Sequence, residues 1–410
     1  MKIGINALFM IPGEVGGTET YLRKILAELP KLAPKHEFVI FANEENCNLF
    51  ARELTEFTNV SIIDTKVRAT SRLKRIMHEQ FVLPKVVAAQ NLDVLWNPGN
   101  VCPLLKHMCP YVTTIHDMQY ISHPEDFTKA GLFFMKTFTP KAIAKSDAII
   151  TISEFSRQEI VKYSKVKVDR VHVVLSAVSQ NYKEQFDLDF IKERKLALLH
   201  SSDPYLLVIA NSYPHKSIET AVEAFGKLNS LGTMNLVILG RPRLGERAVQ
   251  SAIDSLPESC RDRVIRLHYV VESDLRALYQ GAAAFVFPSK YEGFGLPVLE
   301  AMQAGVPVVA SKNASIPEVG GEAIEYFKAG DSEDLATVIN KVLNKNDSQR
   351  DAQIEAQKQR AARFTWENTA KQTLDILLDA GKLCNVGSKR NSTNKPKDNG
   401  GAPLISTLGN

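Results

Sequence analysis

The amino-acid sequence predicts an α/β protein with two Rossmann-like domains that face each other across a cleft. Strand and helix patterns alternate through residues 2–174, and a second alternating series runs through residues 205–311. Alternation of this kind is typical of a parallel sheet covered by helices on both sides. The charged segment 180–204 separates the two series and is predicted to be a linker helix.

These patterns divide the chain into five consecutive parts. We expect a first domain over residues 1–178, a linker over 179–204 and a second domain over 205–365. The pattern of residues 366–384 is helical. Residues 385–410 are rich in Asn, Gly, Ser, Lys and Pro, a composition that predicts disorder.

Composition excludes several classes of protein. A hydrophobic fraction of 44% and a net charge of +4 in 410 residues are ordinary for a globular protein and too weakly basic to indicate nucleic-acid binding. The five cysteines are scattered, without C-x-x-C spacing, so neither a disulfide framework nor a zinc site is predicted. No apolar run approaches the roughly 18 residues needed to span a bilayer. The N-terminus is typical of a first strand and not of a signal peptide, so we expect a cytoplasmic protein.

The loop after the first strand, residues 11–18 (I-P-G-E-V-G-G-T), is rich in glycine. It lacks the G-x-G-x-x-G dinucleotide fingerprint, which disfavours a dehydrogenase. Gly16 and Gly17 precede a predicted helix over residues 18–32 and offer free backbone amides to an anion. A simple glycine turn before a helix explains the same residues.

A basic segment over residues 66–75 adjoins apolar residues at helical spacing. The basic residues are Lys66, Arg68, Arg72, Lys74 and Arg75, and the apolar ones are Leu73, Ile76, Met77 and Phe81. A basic amphipathic stretch can lie on an anionic membrane, where each basic group contributes up to about 1 kcal/mol. A solvated helix face is the simpler interpretation, and docking on the inner membrane leaflet is the hypothesis set against it.

Two further segments of the first domain follow predicted strands. His116 and Asp117 stand at the carboxyl end of the strand 111–115, where α/β sheets place ligand-binding groups. No G-x-S-x-G motif accompanies them, which disfavours a hydrolase triad. Ser153, Glu154 and Ser156 form a helix-capping arrangement first and an acceptor contact second.

The first loop of the second domain, residues 210–217 (A-N-S-Y-P-H-K-S), places Lys216 at a predicted helix entrance. A lysine there can supply a point charge to a phosphate group. An exposed lysine without a role is the alternative.

Residues 282–311 form a strand–loop–helix–strand unit around which the chain is organised. Residues 282–287 predict a buried strand, the loop 289–295 contains two glycines, and Pro297 suits the first turn of a helix that ends at Gly305. The amino end of this helix points at the crevice where doubly wound sheets bind ligands. Its amides and dipole favour an anion such as a pyrophosphate.

Two carboxylates stand at this helix, Glu292 in the loop and Glu300 in the predicted first turn. They would repel a pyrophosphate, so we expect them to accept hydrogen bonds from neutral hydroxyls, each worth about 1.5–3 kcal/mol. A nucleotide sugar combines a diphosphate with hydroxyl-rich groups on both sides. A capped surface helix with an acidic first turn remains the alternative.

The sequence E-G-F-G-L-P-V-L-E, followed by A-M-Q-A-G-V-P-V-V-A-S, resembles the E-x7-E signature of family-four retaining glycosyltransferases, which have the GT-B architecture. The resemblance extends over about residues 1–380. The T-I-H-D and N-x-x-P-H-K segments resemble polysaccharide mannosyltransferases in particular.

The resemblance implies a first domain on the acceptor side, a second domain that binds the nucleotide sugar, and a helix over residues 366–384 that crosses back to the first domain. It implies transfer of a hexose from a GDP- or UDP-hexose to a glycan or lipid-linked acceptor in polysaccharide synthesis, with mannose from GDP-mannose as the expected donor. No cofactor or metal is expected, since the nearest D-x-D match, residues 187–189, lies in the linker.

The resemblance also assigns roles to residues. His116 would lie against the donor sugar, and Asp117 would orient the loop or the imidazole. Lys216 would stabilise the departing diphosphate, Glu292 would hold the sugar and Glu300 the ribose hydroxyls. The remaining predicted donor-binding residues are Gly16, Gly17, Asn211, Val270, Phe294, Gly295 and Leu296.

One position departs from the family pattern. Members often have Pro-Arg before the lysine, and some have an arginine several residues earlier as a second phosphate ligand. This chain has Pro214 and His215 instead, with Asn211 near the place of that arginine. Arg241, after the strand 235–239, is the candidate substitute.

Two other functions fit the same architecture. One is a nucleotide-sugar epimerase, and the other is a non-enzymatic nucleotide-sugar-binding subunit. The presence of His116, Lys216, Glu292 and Glu300 together argues against the non-enzymatic subunit.

Overall fold

The computed structural model describes residues 1–105, 109–228 and 232–392. It confirms the predicted α/β fold with two parallel sheets, one in each half of the chain. The strands are short apolar runs whose residues are mostly buried, as expected for parallel strands covered on both faces.

The first sheet and its helices come from the first half of the chain. Its strands are β1 (Lys2–Asn6), β2 (Glu37–Ala42), β3 (Val60–Asp64), β4 (Val94–Asn97), β5 (Tyr111–Thr114), β6 (Ala148–Thr151) and β7 (Val171–Val173). Its helices are α1 (Gly17–Leu32), α2 (Cys47–Glu53), α3 (Arg72–Phe81), α4 (Leu83–Ala88), α5 (Gln119–Ser122), α6 (Lys129–Lys145) and α7 (Glu154–Ser164). The strand order is β3-β2-β1-β4-β5-β6-β7, all parallel, with Ile5 between Ile40 and Trp96.

The segment between the sheets contains a short 3-10 turn, Gln180–Lys183, and helix α8 (Leu188–Leu199). Asp187 caps α8 by accepting the backbone N–H of Phe190 at 2.7 Å. Arg194 of α8 pairs with Asp274 at 2.8 Å, so the linker helix packs against the second half of the chain.

The second sheet has the strands β8 (Tyr205–Ile209), β9 (Asn235–Leu239), β10 (Val264–Leu267), β11 (Ala284–Phe287), β12 (Val308–Ser311) and β13 (Glu325–Phe327). Its helices are α9 (Ile218–Phe225), α10 (Glu246–Asp254), α11 (Glu258–Arg261), α12 (Glu272–Gly281), α13 (Leu296–Ala304), α14 (Ile316–Gly320), α15 (Ser332–Leu343) and α16 (Asp347–Ala361). The order β10-β9-β8-β11-β12-β13 is again parallel throughout.

The last helix, α17 (Trp366–Ser392), returns to the first domain, as predicted, and packs against α1 and the first sheet. The Thr369 hydroxyl donates to the Leu175 carbonyl at 2.7 Å. The helix runs past residue 384, where the predicted disordered tail begins, and residues 393–410 of that tail lie outside the described residues.

The strand order reverses direction between β1 and β4 in the first sheet and between β8 and β11 in the second. Loops at the carboxyl ends of strands beside such a switch point form the usual ligand crevice of an open α/β sheet. Both domains therefore direct their binding loops toward one shared cleft. Within the described residues, no helix has the length and apolar character needed to cross a membrane.

Candidate active site

A cavity of about 710 Å³ lies between the two domains, at the carboxyl ends of both sheets. Loops after β1 and β5 line it from the first domain, and loops after β8, β9 and β11 line it from the second. It brings together the residues that the sequence predicts for the site: Gly16, Gly17, His116, Asn211, Lys216, Val270, Glu292, Phe294, Gly295, Leu296 and Glu300.

The glycine-rich loop after β1 is fixed by a carboxylate from α1. Glu19 accepts the backbone N–H of Gly13 at 2.7 Å, and Arg23 donates to the same carboxylate at 3.0 Å. A Cβ added at Gly17 would lie 3.5 Å from Leu296, so this loop approaches the start of α13 across the cleft. Gly17 therefore lies beside the first residue of α13.

His116 is a buried, neutral imidazole with a defined tautomer. Its Nε2 lies 2.8 Å from the Pro98 carbonyl, which can only accept, so Nε2 carries the hydrogen and Nδ1 keeps a lone pair. Burial lowers the pKa of His116 to about 4. Its ring packs edge-on against Tyr21 at 5.1 Å. His116 can therefore accept a hydrogen bond from a sugar hydroxyl and supplies no positive charge at neutral pH.

Asp117 orients the loop and not the imidazole. Its Oδ1 accepts the backbone N–H of Gln119 at 3.0 Å, while the His116 ring is held by Pro98. A Cβ at Gly293 would lie 3.0 Å from the His116 carbonyl oxygen, so the two domains touch closely at this point. Burial raises the pKa of Asp117, and the nearby carboxylate of Glu292 acts in the same direction.

Lys216 and Glu292 form an ion pair inside the cleft. Lys216 Nζ lies 2.6 Å from Glu292 Oε1, and both side chains are largely buried. Lys216 ends a 3-10 turn, Pro214–Lys216, and Glu292 lies in the loop between β11 and α13. The family resemblance places the two side chains at different parts of a donor, and in this structure they pair with each other.

Helix α13 begins without a side-chain cap. Gly295 precedes it with φ of 108°, a conformation that glycine adopts without strain, and Pro297 lies in the first turn. No capping side chain bonds its first amides in the described chain. The Ser315 hydroxyl lies 2.9 Å from the Glu292 carbonyl and 2.8 Å from the Phe294 carbonyl, which fixes the loop before the helix.

Glu300 lies in the second turn of α13, because the helix starts at Leu296. The prediction that Glu300 lies in the first turn was therefore wrong by one turn. Glu300 is half-buried where it lines the cleft, and burial raises the pKa of its carboxyl group to about 7. Tyr279 donates to Glu300 Oε2 at 3.0 Å.

The loop after β9 places Arg241 and Arg243 at the edge of the same cleft. Asn211 Oδ1 accepts the backbone N–H of Arg241 at 2.8 Å, and Ser212 Oγ accepts that of Arg243 at 2.7 Å. Asn211 therefore shapes the arginine loop. Among the described residues, neither guanidinium group pairs with a carboxylate.

His215, which stands where family members often have arginine, turns toward the first domain. Its Nδ1 lies 2.8 Å from Asp126 Oδ2 and 2.8 Å from the Gln119 side-chain amide. Its backbone N–H donates to Asp126 Oδ1 at 3.1 Å. The position thus serves a contact between domains in this chain.

Sequence reasoning missed Glu318, which makes another cross-domain contact. Its two carboxylate oxygens accept the backbone N–H groups of Glu154 and Phe155, each at 2.7 Å, at the first turn of α7. Ser153 caps the same helix by accepting from the Ser156 N–H at 3.0 Å, as the capping prediction requires. Glu318 follows Pro317 in an unremarkable segment, and no sequence signal indicated its partner.

The basic segment at residues 66–75 is largely neutralised by neighbouring acids. Lys66 pairs with Asp64, Arg68 with Glu44 and Arg75 with the buried Glu79. The Arg72 guanidinium lies 4.8 Å from the centre of the Phe134 ring of α6. The face beside α3 is therefore defined more by apolar groups than by free charge.

The described residues contain no group of three or more His, Cys, Asp or Glu arranged to hold a metal ion. The acidic pair at residues 187 and 189 belongs to the start of α8, where Asp187 is the cap.

Two family models match this chain. Glycosyltransferase Family 4 matches residues 15–181, and Glycosyl transferases group 1 matches residues 189–360. The two matches follow one another along the chain and correspond to the two halves of the fold.

Among curated proteins, the chain is 32% identical over 270 residues to O-antigen chain mannosyltransferase B of Escherichia coli, covering 64% of this chain and 69% of that protein. It is 30% identical over 311 residues to the serotype-specific mannosyltransferase WbdA of Escherichia coli, covering 73% of this chain. The match spans 36% of WbdA, about a third of that longer protein.

Among solved structures, the chain is similar to Anabaena Alr3699/HepE in complex with UDP and glucose, with a TM-score of 0.70 at 19% identity. The alignment covers 92% of this chain and 100% of HepE. WaaG, a glycosyltransferase involved in lipopolysaccharide biosynthesis, aligns with a TM-score of 0.67 at 16% identity, over 92% of this chain and 99% of WaaG. At these identities the likeness is one of fold.

Proposed function

The chain belongs to glycosyltransferase family 4, and we propose that it transfers mannose from GDP-mannose to a glycan or lipid-linked acceptor in polysaccharide synthesis, with retention of anomeric configuration. The observation that carries the proposal is the uncapped amino end of α13, which opens into the cleft beside Lys216 with Glu292 and Glu300 at its sides. A donor with an anionic centre and neutral hydroxyls on both sides fits this arrangement.

The second domain holds the donor. Its diphosphate lies at the start of α13, where free amides and the helix dipole favour negative charge, and Lys216 provides the counter-charge. Glu292 and the amides of Phe294 and Gly295 hold the sugar. Glu300 accepts hydrogen bonds from ribose hydroxyls, and the backbone near Val270 contacts the base.

Rate enhancement comes chiefly from stabilising the leaving group. The bond between the anomeric carbon and the phosphate oxygen breaks, the acceptor oxygen bonds to the same face of the anomeric carbon, and the acceptor proton passes to the leaving phosphate. Negative charge grows on the diphosphate in this step, so Lys216 and the α13 amides bind the transition state more tightly than the donor. His116, neutral and open at Nδ1, accepts from a sugar hydroxyl and orients the ring.

Arg241 is the proposed second cation for the diphosphate. It lines the cleft with Lys216, and Asn211 holds its backbone in place. The guanidinium can form paired hydrogen bonds with phosphate oxygens, which a lysine cannot. Arg241, in the loop after β9, would then supply the second positive charge. In the loop after β8, which carries Lys216, His215 pairs with Asp126.

Mannose from GDP-mannose is proposed because the relatives at 30–32% identity carry the name mannosyltransferase. UDP-hexoses are the competing donors, since the Anabaena structure holds UDP and glucose. No metal or other cofactor is assigned a role in this proposal.

The test is a thermal-shift screen against GDP-, UDP- and ADP-sugars, followed by transfer assays with the donor that binds. A ligand at 100 times its dissociation constant adds about 2.7 kcal/mol to stability. GDP-mannose is expected to give the largest shift and an α-linked product by NMR. Inversion of configuration, or conversion of the donor sugar without acceptor as in an epimerase, would contradict the proposal.

We also propose that the enzyme works at the cytoplasmic face of the membrane through a surface formed by α3 and α6. Leu73 of α3 and Phe133 of α6 are each 72% exposed, and Met77, Phe81 and Leu105 are exposed nearby. Exposed lysines flank this α3–α6 surface: Lys74, Lys129 and Lys136. Bulky apolar groups ringed by lysines suit the interface of an anionic bilayer. The surface keeps Lys74 and the apolar residues of the predicted amphipathic stretch, whereas Lys66, Arg68 and Arg75 of that stretch are paired with acids.

A further inference from the structure

The Glu300 carboxylate sits in a pocket of hydroxyl groups. Tyr279 of α12 donates to Oε2 at 3.0 Å, and Tyr182 lines a cavity of about 580 Å³ together with Glu300. The two rings pack edge-on at 5.8 Å, and both side chains are buried. Tyr279 also approaches the Pro297 carbonyl, at the longer distance of 3.4 Å.

The tyrosines can act on Glu300 only as donors. Burial and the carboxylate raise the pKa of both phenols far above the neutral range, so each keeps its hydrogen. A carboxylate has about four acceptor positions, and the Tyr279 hydroxyl occupies one of them. The remaining positions are free for a ligand in the cleft, which Glu300 lines.

The other charged groups near Glu300 come from α12 and α1. Glu272, at the start of α12, raises the pKa of Glu300, in the same direction as burial. Arg23 and Lys24 of α1 line the cavity of about 580 Å³ together with Glu272, Tyr182 and Glu300. Arg23 is already paired with Glu19 and Glu53. Burial and one acid thus oppose ionisation of Glu300, and the two phenols favour it.

We propose that Tyr279 and Tyr182 are positioning residues for donor binding, holding the Glu300 carboxylate ionised and aimed at the neutral hydroxyls of the nucleotide. The inference rests on the proposed function, since it takes Glu300 to contact those hydroxyls. An ionised carboxylate accepts a hydrogen bond roughly twice as strong as a neutral acceptor does. Loss of either phenol leaves Glu300 protonated over a wider pH range and free to rotate.

Tyr182 adds a link between the donor site and the domain connection. It lies in the turn Gln180–Lys183, at the start of the segment that joins the two domains, and this turn packs against α13. The donor-binding carboxylate is therefore held partly by the linker. A donor that binds Glu300 also fixes the linker turn.

The test measures binding of GDP and UDP by calorimetry between pH 5.5 and pH 9, in the wild type, Tyr279→Phe and Tyr182→Phe. The wild type is expected to bind more tightly as pH rises through about 7, where Glu300 ionises. Each phenylalanine variant should bind about fivefold more weakly at pH 7, with the midpoint moved upward by roughly one pH unit, and should recover most of its affinity at pH 9. In turnover, the donor KM rises and kcat changes little.

Tyr205→Phe is the matched control, because it removes another buried tyrosine hydroxyl that donates to the Leu278 carbonyl at 2.7 Å, away from Glu300. It should leave the pH profile unmoved. Glu300→Gln should remove the change in affinity that accompanies ionisation of Glu300, leaving only the titration of the nucleotide's terminal phosphate. An unchanged midpoint of the pH profile in both Tyr279→Phe and Tyr182→Phe would overturn the inference. So would a loss of affinity in these variants that is the same at every pH and is also seen in Tyr205→Phe. Absence of GDP and UDP binding in the wild type would instead refute the proposed function, and this inference with it.

Discussion

Lys216 Nζ lies 2.6 Å from Glu292 Oε1, so the two groups expected to act on different parts of the donor form an ion pair with each other. In the proposed mechanism, a diphosphate at the start of α13 would compete with Glu292 for Lys216, and the released carboxylate would become available to sugar hydroxyls. The effects of the two groups on turnover should therefore be coupled.

Replacing either member of this pair is expected to cut turnover about 10²-fold or more, the scale for removing a group that stabilises transition-state charge. Lys216→Ala removes the counter-charge of the leaving group, and Glu292→Ala removes the sugar contact. The double variant should lose less than the product of the two single effects, because each single change leaves its partner unpaired. Steady-state kinetics with saturating donor measure this.

Lys290→Ala is the control, since Lys290 lies in the same loop, half exposed, and pairs with Glu219 outside the cleft. It should retain nearly full activity. Near-normal kinetics in both Lys216→Ala and Glu292→Ala would contradict the assigned roles.

Glu300→Gln is expected to flatten the pH dependence of stability. The pKa of Glu300 is about 7 in the folded chain against 4.5 for the ordinary group, so the folded state binds the proton more tightly than the unfolded state. Stability from this site is present below pH 4.5 and is lost as pH rises to about 7, a difference of up to roughly 3 kcal/mol. Thermal melts at pH 5 and pH 8 should differ more in the wild type than in the variant. If the stability of the wild type relative to Glu300→Gln were greater at pH 8 than at pH 5, the prediction would be contradicted.

Glu318→Ala is expected to lower stability by about 1–3 kcal/mol, because it strips two charge-assisted hydrogen bonds from the first turn of α7. Since the contact joins the two domains, kcat should fall while GDP binding to the second domain is preserved. Calorimetry and small-angle scattering in parallel would separate these effects. The exposed Glu322→Ala serves as the control. Unchanged kcat and unchanged scattering in Glu318→Ala would show that the contact does not hold the domains together.

The α3–α6 surface predicts membrane binding that depends on apolar side chains. Leu73→Ser combined with Phe133→Ser should reduce flotation with phosphatidylglycerol-rich vesicles about tenfold or more, because each large side chain contributes roughly 1.5–3 kcal/mol when buried. Leu188→Ser is a matched control, since Leu188 is also 72% exposed but lies on α8. Equal flotation of the wild type and the double variant would contradict membrane binding through the α3–α6 surface.

Much of the fold follows from local patterns in the sequence. Apolar runs predict the strands, and Pro297 with Gly305 delimits α13 to within a residue or two. Residues of the E-x7-E segment also share a cleft because one loop and one helix carry them. These predictions succeed because the relevant physics acts over a few residues of chain.

The rest depends on contacts between distant segments. Lys66, Arg68 and Arg75 look like a basic surface in sequence, but Asp64, Glu44 and Glu79 neutralise them in the fold. Nothing local marks Glu318 or Tyr182 as partners of α7 and Glu300, since each contact forms only when the domains and linker are packed. The spacing of residues in the sequence does not predict such pairs.

The central claim is that the amino end of α13, with Lys216, holds the diphosphate of the donor. Comparing the affinities of GDP and guanosine, and of UDP and uridine, isolates the diphosphate, because each pair shares its base and ribose. We expect the diphosphate to tighten wild-type binding by about 10²-fold or more for the preferred base, and Lys216→Ala to lose most of this difference. Equal affinity for nucleoside and nucleoside diphosphate in the wild type would contradict the account.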